Sequence, residues 1–323
     1  MSSVLVVRPS SLGDVVWALA IVHDIERARP GITVDWVIEE AFAALPALCD
    51  GVRRAVPVAL RRWWRHPVEP STWREMRAFR VALRAERYDA VLDLQEQVKG
   101  AVLSRLARGT RHGFDRASIR EPIATWFDDV HHTVRRDLHF ATRVRTVTAA
   151  ALGYAVDGPP RWRWNVPPPP AGLPAGPFAV AVHATSRDDK RWPAESWRGL
   201  LSGLAAIGFH VVLPHGSAAE EAMSRALAAK IERAIVPPRL PLAAMAALLA
   251  RAHVVVGVDT GLTHLAAALG TPTVALFTST DAELAGVAIA GPHARDIGGN
   301  GVVPGVDDAR AALGERLRHA PRC

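Results

Sequence analysis

The chain alternates between short apolar runs and longer amphipathic stretches, which is the pattern of βαβ units. In the first half, runs rich in β-branched residues occur at 3–8 (SVLVVR), 32–39 (ITVDWVIE) and 88–95 (YDAVLDLQ). A helix is predicted from Asp14 to about Arg29, where Pro30-Gly31 ends it. Continuous apolar runs of this length are typical of strands buried on both faces. The pattern therefore predicts an α/β fold built on a parallel sheet.

The same pattern starts again in the second half of the chain. Strands are predicted there at 178–184, 210–216, 254–258 and 273–277, and helices at 193–206, 218–230, 242–250, 262–269 and 306–319. Between the halves, the segment from Asp157 to Pro177 is rich in proline, which disfavours both helices and central strands. We therefore expect two domains, 1–166 and 167–323, and the last helix can also pack back on the first domain.

Composition narrows the class of protein. The chain has 323 residues, 49% of them apolar and 22% charged, which fits a soluble globular protein of two domains. No apolar run reaches the roughly 18 residues of a membrane span, and the N-terminal segment does not resemble a signal peptide. Cys49 and Cys323 are the only cysteines. We therefore expect no disulfide framework, and we expect a cytoplasmic location.

Basic residues are concentrated in the first half. Residues 1–166 contain 25 Lys and Arg against 19 Asp and Glu, so they carry +6 of the formal net charge of +7. This suits an anionic partner: nucleic acid, an acidic membrane surface or a phosphorylated substrate. The charge alone does not distinguish among the three.

The segment 252–277 (AHVVVGVDTGLTHLAAALGTPTVALF) reads as a strand, a helix and a parallel strand. Asp259 is placed to accept hydrogen bonds from the first turn of the helix, and Gly261 allows a ligand to approach the backbone. The positive helix end favours a phosphate group, with His264 in the same turn. The alternative is a capped helix with a histidine in the core, and the segment by itself favours neither.

Two further polar loops follow predicted strands. Asp14 lies after the first strand, where ligands of open α/β folds bind, although aspartate at a helix start is also a common cap. Lys190 lies in the loop TSRDDKRW (185–192). Together with the helix at 262–269, that loop can form a pyrophosphate cradle. Neither a Walker loop nor a G-x-G-x-x-G motif is present, which argues against P-loop NTPases and ordinary dehydrogenases.

Arginines recur every three or four residues from Thr72 to Arg87, on one face of a predicted helix. The face is either solvated or binds phosphate groups, and Trp63 and Trp64 precede it. The segment 111–139 is irregular and rich in His and Arg, but its spacing matches no familiar zinc pattern. No metal site is expected.

Several motifs resemble glycosyltransferase family 9, the lipopolysaccharide heptosyltransferases. The three longest are SSLGD (10–14), HATSRDDKRWP (183–193) and VDTGLTHLAAALG (258–270). IEEAFA (38–43) and ALRRWWR (59–65) are similar to the heptosyltransferase I branch. The resemblance covers nearly the whole chain. It implies the GT-B architecture, in which two Rossmann-like parallel-sheet domains face a central cleft, the first binding the acceptor and the second binding ADP-heptose.

The resemblance also implies an activity. It is the inverting, metal-independent transfer of L-glycero-D-manno-heptose from ADP-heptose to the Kdo of Kdo-lipid A, in synthesis of the lipopolysaccharide inner core. Asp14 and Lys190 would be catalytic. The implied donor-binding residues are Thr185, Ser186, Lys190, Glu220, Leu240, Asp259, Thr260, Gly261 and His264, and the implied acceptor-binding residues are Ser11, Gly13, Arg61, Arg62, Arg65 and Arg120.

No cofactor and no nucleic-acid partner are implied. The enzyme would work in the cytoplasm, in peripheral contact with the anionic surface of the inner membrane. Two segments depart from the usual family pattern: Glu96 stands where Gly is common, and Thr278-Ser279 stands where Gly-Pro is usual. A related family 9 transferase with another acceptor, resembling heptosyltransferase II, therefore stays open. So do a GT-B nucleotide-sugar epimerase and a basic nucleic-acid-binding protein.

Overall fold

The computed structural model describes residues 1–319. Cys323, one of the two cysteines, lies outside the described residues, and Cys49 is a buried free thiol. The chain forms two compact units, Met1–Asn165 and Val166–Cys323. This division differs by one residue from the boundary predicted from the proline-rich tract.

Six strands of the first unit form one parallel sheet. They are β1 (Ser3–Val7), β2 (Thr33–Glu39), β3 (Val52–Val58), β4 (Ala90–Asp93), β5 (Thr110–Phe114) and β6 (Val130–His132). Their order across the sheet is β3-β2-β1-β4-β5-β6, with every neighbouring pair parallel. The central strands β1 and β4 are buried almost throughout, as their apolar runs predicted.

The helices of the first unit cover both faces of this sheet. They are α1 (Leu12–Ala18), α2 (Ala20–Ala28), α3 (Ala44–Leu48), α4 (Leu60–Arg65), α5 (Pro70–Arg84), α6 (Val98–Leu106) and α7 (Phe140–Leu152). The single helix predicted from Asp14 to Arg29 is wrong, because it is divided at Leu19. There the Val22 N–H bonds to the Leu19 carbonyl, three residues back, which interrupts the α-helical ladder.

The prediction that 111–139 is irregular is also wrong in part. The segment contains most of β5, all of β6 and a 3₁₀ helix at Pro122–Phe127. β6 is one of the two edge strands of the sheet and β5 is its neighbour, so several of their side chains remain accessible and polar residues are tolerated there. The short, polar sequences TRHGF and VHH therefore lack the apolar run by which the central strands are recognised.

The second unit repeats the architecture. Its strands are β7 (Phe178–Val182), β8 (His210–Val212), β9 (Ala234–Ile235), β10 (Val254–Val258), β11 (Thr273–Phe277) and β12 (Ala294–Gly298). They form a second parallel sheet in the order β12-β11-β10-β7-β8-β9. β10 and β11 have the predicted bounds. β8 is shorter than the predicted 210–216, because the ladder stops before Pro214, which has no N–H to donate.

The helices of the second unit are α8 (Ala194–Ala206), α9 (Ala218–Ala228), α10 (Leu242–Arg251), α11 (Gly261–Ala268), α12 (Ala282–Ala285) and α13 (Val306–His319). Helix α13 packs on β10, β11, β12 and α8, within its own unit. Its Ala312 and Leu313 belong to the same buried core as Trp192 and Trp197, whose rings meet edge to face at 5.1 Å.

The predicted α/β fold with two Rossmann-like parallel sheets is confirmed. In each sheet, the loops that follow the strands gather at one edge, since all strands run the same way. Within residues 1–319, no helix combines the length and apolarity needed to cross a bilayer.

Candidate functional site

The first unit carries a polar cleft of about 430 Å³ at the carboxyl edge of its sheet. The loops after β1 and β4 and the first turn of α6 form much of its wall. The residues that line it are Arg8, Ser10, Ser11, Asp14, Arg61, Gln95, Glu96, Gln97, Lys99, Arg120, Phe140 and Arg143. Five of these side chains are basic and two are acidic, so the cleft suits an anionic ligand with hydroxyl groups.

Asp14 lies in the first turn of α1 and is both a cap and a cleft residue. Its Oδ2 accepts hydrogen bonds from the Ser11 N–H at 3.1 Å and the Ser11 hydroxyl at 2.8 Å. Its side chain remains 38% exposed. Burial would raise the pKa of Asp14, but the positive charge of Arg8 and the Ser11 hydrogen bonds outweigh it and lower the pKa. The carboxylate is therefore ionised at neutral pH and available to take a proton.

Arg8 is a cleft residue that the sequence analysis missed. Its Nη2 lies 2.6 Å from Asp14 Oδ2, and the guanidinium sits over the Phe140 ring at 4.6 Å from the centroid. A hydrogen bond to the Leu94 carbonyl fixes it further. The sequence does contain a signal for this role, because Arg8 directly follows a buried strand and a buried charge at a sheet edge needs a partner. Arg8 fixes the orientation of the Asp14 carboxylate.

The predicted acceptor-binding residues do not all meet at this cleft. Ser11, Arg61 and Arg120 line it, and Gly13 is buried in α1 behind Asp14. Arg62 instead pairs with Glu40 and Glu75 beside a separate depression, and Arg65 is exposed at the end of α4. Successive residues of a helix point about 100° apart, so Arg61 and Arg62 reach two different surfaces.

Lys99 and Arg143 are two more cations of the cleft that were not predicted. Lys99 Nζ donates to the Ser10 hydroxyl at 3.1 Å, and burial together with nearby Arg8 and Arg61 lowers its pKa. Arg143 lies over the Phe114 ring, and its Nη2 donates to the Ser118 carbonyl at 2.7 Å. Each lies far in sequence from Asp14, and nothing in its local pattern distinguishes it from a surface cation.

Glu96, the first departure from the family pattern, is buried in the wall of the cleft. Its φ of 60° lies in the left-handed region that favours glycine, which explains why glycine suits this position. Its Oε2 lies 3.0 Å from Arg143 Nη2, and both side chains are mostly buried. Glu96 therefore neutralises one of the five cations of the cleft.

In the second unit, Asp259 is the centre of a hydrogen-bonded cluster at the carboxyl end of β10. Its Oδ2 accepts from Lys190 Nζ and from the Thr280 hydroxyl, both at 2.6 Å, and His264 Nε2 lies 3.3 Å from its Oδ1. Burial alone would raise the pKa of Asp259. The hydrogen bonds and charges of His264, Lys190 and Thr280 lower it by a larger amount, so the pKa falls well below its usual range. The Asp259 carboxylate is therefore ionised at neutral pH.

The expectation that Asp259 caps the following helix is wrong. Thr260 is the N-cap residue of α11, and Asp259 points to Lys190, His264 and Thr280 instead. The lysine competes successfully for the carboxylate because an ammonium is a stronger partner than a backbone N–H. The first turn of α11, with Gly261, consequently keeps its positive end for another anion.

Close packing holds this turn against the sheet. The Thr263 hydroxyl donates to the Val258 carbonyl at 2.8 Å. A Cβ at Gly257 would lie only 2.2 Å from the Thr263 Oγ1, so the glycine allows α11 to approach β10.

The loop after β7 carries Thr185, Ser186 and Lys190. The Thr278 hydroxyl, the second departure from the family pattern, donates to the Asp189 carbonyl at 2.6 Å and fixes the turn that presents Lys190. His183 is buried, and its Nε2 lies 2.7 Å from the Ser224 Oγ. Burial lowers the pKa of His183 to about 4, so the ring is neutral and serves packing.

Glu220 and Leu240 lie further along the same sheet edge. Glu220 is in the first turn of α9, after β8, and its Oε2 accepts the Gly216 N–H at 2.7 Å. Leu240 is half-buried in the loop between β9 and α10. Since β10, β7, β8 and β9 are adjacent in the sheet, their loops form a row. Such a row can accommodate a ligand with a diphosphate at one end and a nucleoside at the other.

Two histidines of the segment 111–139 lie side by side in the first unit. There His112 Nδ1 lies 3.1 Å from His132 Nε2, and burial lowers the pKa of both rings. Throughout the described part of the chain, no three His, Cys, Asp or Glu side chains are grouped as metal ligands.

Comparison with known proteins shows a similarity over most of the chain. A profile of glycosyltransferase family 9 (heptosyltransferase) matches residues 76–297. The chain is 42% identical over 291 residues to lipopolysaccharide heptosyltransferase 1 of Escherichia coli K12, covering 88% of this chain and 90% of that protein.

Two solved structures are also similar. One is E. coli heptosyltransferase WaaC with ADP, with a TM-score of 0.89 and 37% identity, covering 97% of this chain and 99% of that chain. The other is the same enzyme with ADP-2-deoxy-2-fluoro heptose, with a TM-score of 0.83 and 36% identity, covering 98% and 99%.

Proposed function

The chain belongs to glycosyltransferase family 9, the heptosyltransferase family, and from this premise we propose that it adds the heptose of ADP-heptose to the Kdo of Kdo-lipid A. It is a glycosyltransferase of the lipopolysaccharide inner core. The observation that carries this function is the identity to lipopolysaccharide heptosyltransferase 1 over most of both chains. The anionic sugar acceptor is compatible with the cationic cleft beside Asp14.

The donor is a nucleotide sugar, as the ADP and the ADP-heptose analogue in the two similar structures indicate. In our proposal, Lys190 and the first turn of α11 bind the diphosphate, assisted by Thr185, Ser186, Thr260 and Gly261. Asp259 and His264 contact the heptose. Glu220 and Leu240 lie near the nucleoside. The order of these loops along the sheet edge supports the assignment.

The acceptor binds in the cleft of the first unit. Arg61 and Arg120 supply positive charge for the carboxylates and phosphates of a Kdo-bearing lipid A, and Ser11 and Gly13 shape the backbone around Asp14. Arg62 and Arg65 contribute to the surrounding field and not to the wall of the cleft. To these we add Arg8, Lys99 and Arg143, which bring three further cations to the same wall.

The reaction is a single displacement. Asp14 takes the proton of the acceptor hydroxyl while that oxygen forms a bond to the anomeric carbon of the heptose. The bond from the anomeric carbon to the β-phosphate oxygen breaks through an oxocarbenium-like state, and ADP leaves with the electron pair. Lys190 and the positive end of α11 stabilise the charge that develops on the phosphate. Attack opposite to the leaving group inverts the anomeric centre.

The acceptor is a membrane lipid, so the enzyme must meet a bilayer. We place it in the cytoplasm, in peripheral contact with the anionic surface of the inner membrane. The formal charge of +6 on residues 1–166 supports contact through the first unit.

The test is an assay of ADP release by the purified protein. We expect release that requires both ADP-heptose and Kdo-lipid A, with one heptose gained by the acceptor in mass spectrometry. Conversion of ADP-heptose without any acceptor would show an epimerase instead. Transfer to a lipid A core that already carries heptose, but not to Kdo-lipid A, would assign the chain to a different acceptor.

A further inference from the structure

Helix α5 presents a face that combines arginines with exposed apolar side chains. At about 100° per residue, five side chains fall within an arc of about 100°: Trp73, Arg77, Arg80, Val81 and Arg84. We call this set the α5 face. Thr72, Phe79 and Leu83 are buried, on the other side of the helix.

The apolar members of the α5 face are unusually accessible for their type. Trp73 is 62% exposed and Val81 is 65% exposed. On the neighbouring α4, Trp64 is 81% exposed, and Val68 between the two helices is 86% exposed. Large apolar side chains concentrated in this way mark a surface that is covered by a partner.

The one acidic residue of α5 points away from the arginines of the α5 face. Glu75 is the only Asp or Glu between Pro70 and Arg84. Its Oε2 accepts from Arg62 Nη1 at 2.7 Å and from Trp63 Nε1 at 2.9 Å, which turns it toward α4. Glu75 is therefore engaged by α4 and does not pair with the arginines of the α5 face.

We propose that the α5 face lies on an anionic bilayer, with Trp73 and Val81 in the headgroup region and Arg77, Arg80 and Arg84 on lipid phosphates. Arginine and tryptophan on one face of a helix are the composition of interfacial helices. Valine and tryptophan together favour a bilayer over nucleic acid, whose backbone offers no apolar phase.

The α5 face is connected to the proposed acceptor cleft through the chain. Arg61 in α4 lines the cleft, and α4 leads directly into α5. Docking of α5 would hold this cleft near the headgroups, where an acceptor sugar lies while its acyl chains stay in the bilayer. This step rests on the proposed function, whereas vesicle binding does not.

The experiment measures binding of the full chain to vesicles without acceptor lipid, by co-sedimentation. We expect binding to vesicles of phosphatidylethanolamine and phosphatidylglycerol that weakens with salt, and little binding to phosphatidylcholine alone. Arg77→Gln with Arg80→Gln should weaken binding about tenfold to thirtyfold, and Trp73→Ala should also weaken it. The controls in the second unit, Arg251→Gln and Ile207→Ala, should bind as the wild type does.

Wild-type protein that stays in solution, or α5 variants that bind like the wild type, would overturn the proposal. So would binding to RNA in preference to vesicles. Heptose transfer to a water-soluble, deacylated Kdo acceptor, measured alongside, separates the two claims. If the α5 variants lose vesicle binding and keep this transfer, both hold. If vesicle binding is intact and transfer is absent from the wild type, only the proposed activity fails.

Discussion

The Lys190 ammonium lies 2.6 Å from Asp259 Oδ2, within a cluster that also holds His264 and Thr280. A lysine in this position is already paired, so a phosphate group must compete with a carboxylate for it. The pair makes donor binding the result of two opposing electrostatic contributions.

The two members of this pair should therefore respond to substitution in opposite ways. Lys190→Ala removes the cation, so we expect weaker ADP binding and a transfer rate lower by about 10²-fold. Asp259→Asn frees the ammonium, so ADP should bind more tightly even though transfer falls. Calorimetry with ADP measures both. Arg187→Ala, an exposed cation of the same loop, is the control, and equal ADP affinity in all three variants would refute the phosphate role of Lys190.

Arg8 should control the acid limb of the pH–rate profile. Because its charge lowers the pKa of Asp14, Arg8→Gln should raise that pKa. The base then loses its ionised form at a higher pH, and the acid limb of kcat/KM should move upward in pH. Arg8→Lys keeps the charge and should restore most of the wild-type profile. An acid limb that stays fixed in Arg8→Gln would separate Asp14 from the titration.

The apolar patterns predict the central strands well, because strands buried on both faces must be apolar. β10 and β11 were located to the residue for this reason. The edge strand β6 and its neighbour β5 are partly accessible and tolerate polar residues, so they were not recognised.

The site residues that follow strands could be predicted from the sequence, whereas those that reach the cleft from remote helices could not. Asp14 follows a strand of the first sheet, and Lys190, Asp259 and His264 follow strands of the second. The topology of a parallel sheet brings such residues to the carboxyl edge of their own sheet. Side chains that reach the cleft from remote helices, such as Arg143 on α7, carry no local signal. Arg62 is held by Glu40 and Glu75 beside a separate depression, and the spacing of the arginines does not give these ion pairs.

Asp128 should make the stability of the first unit depend on pH. Burial, against the opposing charges of His131 and Arg111, raises the pKa of this carboxyl from 3.8 to about 6. The folded state thus holds a proton that the unfolded state releases, so the stabilisation is full below about pH 4 and is lost as pH rises through 6.

Asp128→Asn should remove this dependence. Between pH 4 and pH 7, the free energy of unfolding of the wild type should fall relative to the variant by on the order of 2–3 kcal/mol. Denaturant titrations at several pH values measure the difference, with Asp137→Asn, an exposed carboxylate, as control. A constant difference between wild type and Asp128→Asn at all pH values would contradict the raised pKa.

Glu96→Gly restores the residue that is common in the family and tests what Glu96 contributes to the stability of the cleft wall. Glycine relieves the left-handed backbone at this position by about 1 kcal/mol. The substitution also leaves the buried Arg143 without its carboxylate, which costs about 3–5 kcal/mol. We expect a net loss of about 2–4 kcal/mol in the free energy of unfolding, most of it recovered in the double variant Glu96→Gly with Arg143→Met. A more stable Glu96→Gly single variant would show that the ion pair does not hold the cleft wall together.

The central claim is that Asp14 takes the acceptor proton in heptose transfer. The most direct measurement is the rate of ADP release from ADP-heptose and Kdo-lipid A by Asp14→Asn, beside its affinity for ADP. The amide keeps the shape of the side chain and cannot take the proton, so we predict a rate about 10²–10⁴-fold lower with unchanged ADP affinity. A rate close to that of the wild type would contradict the claim.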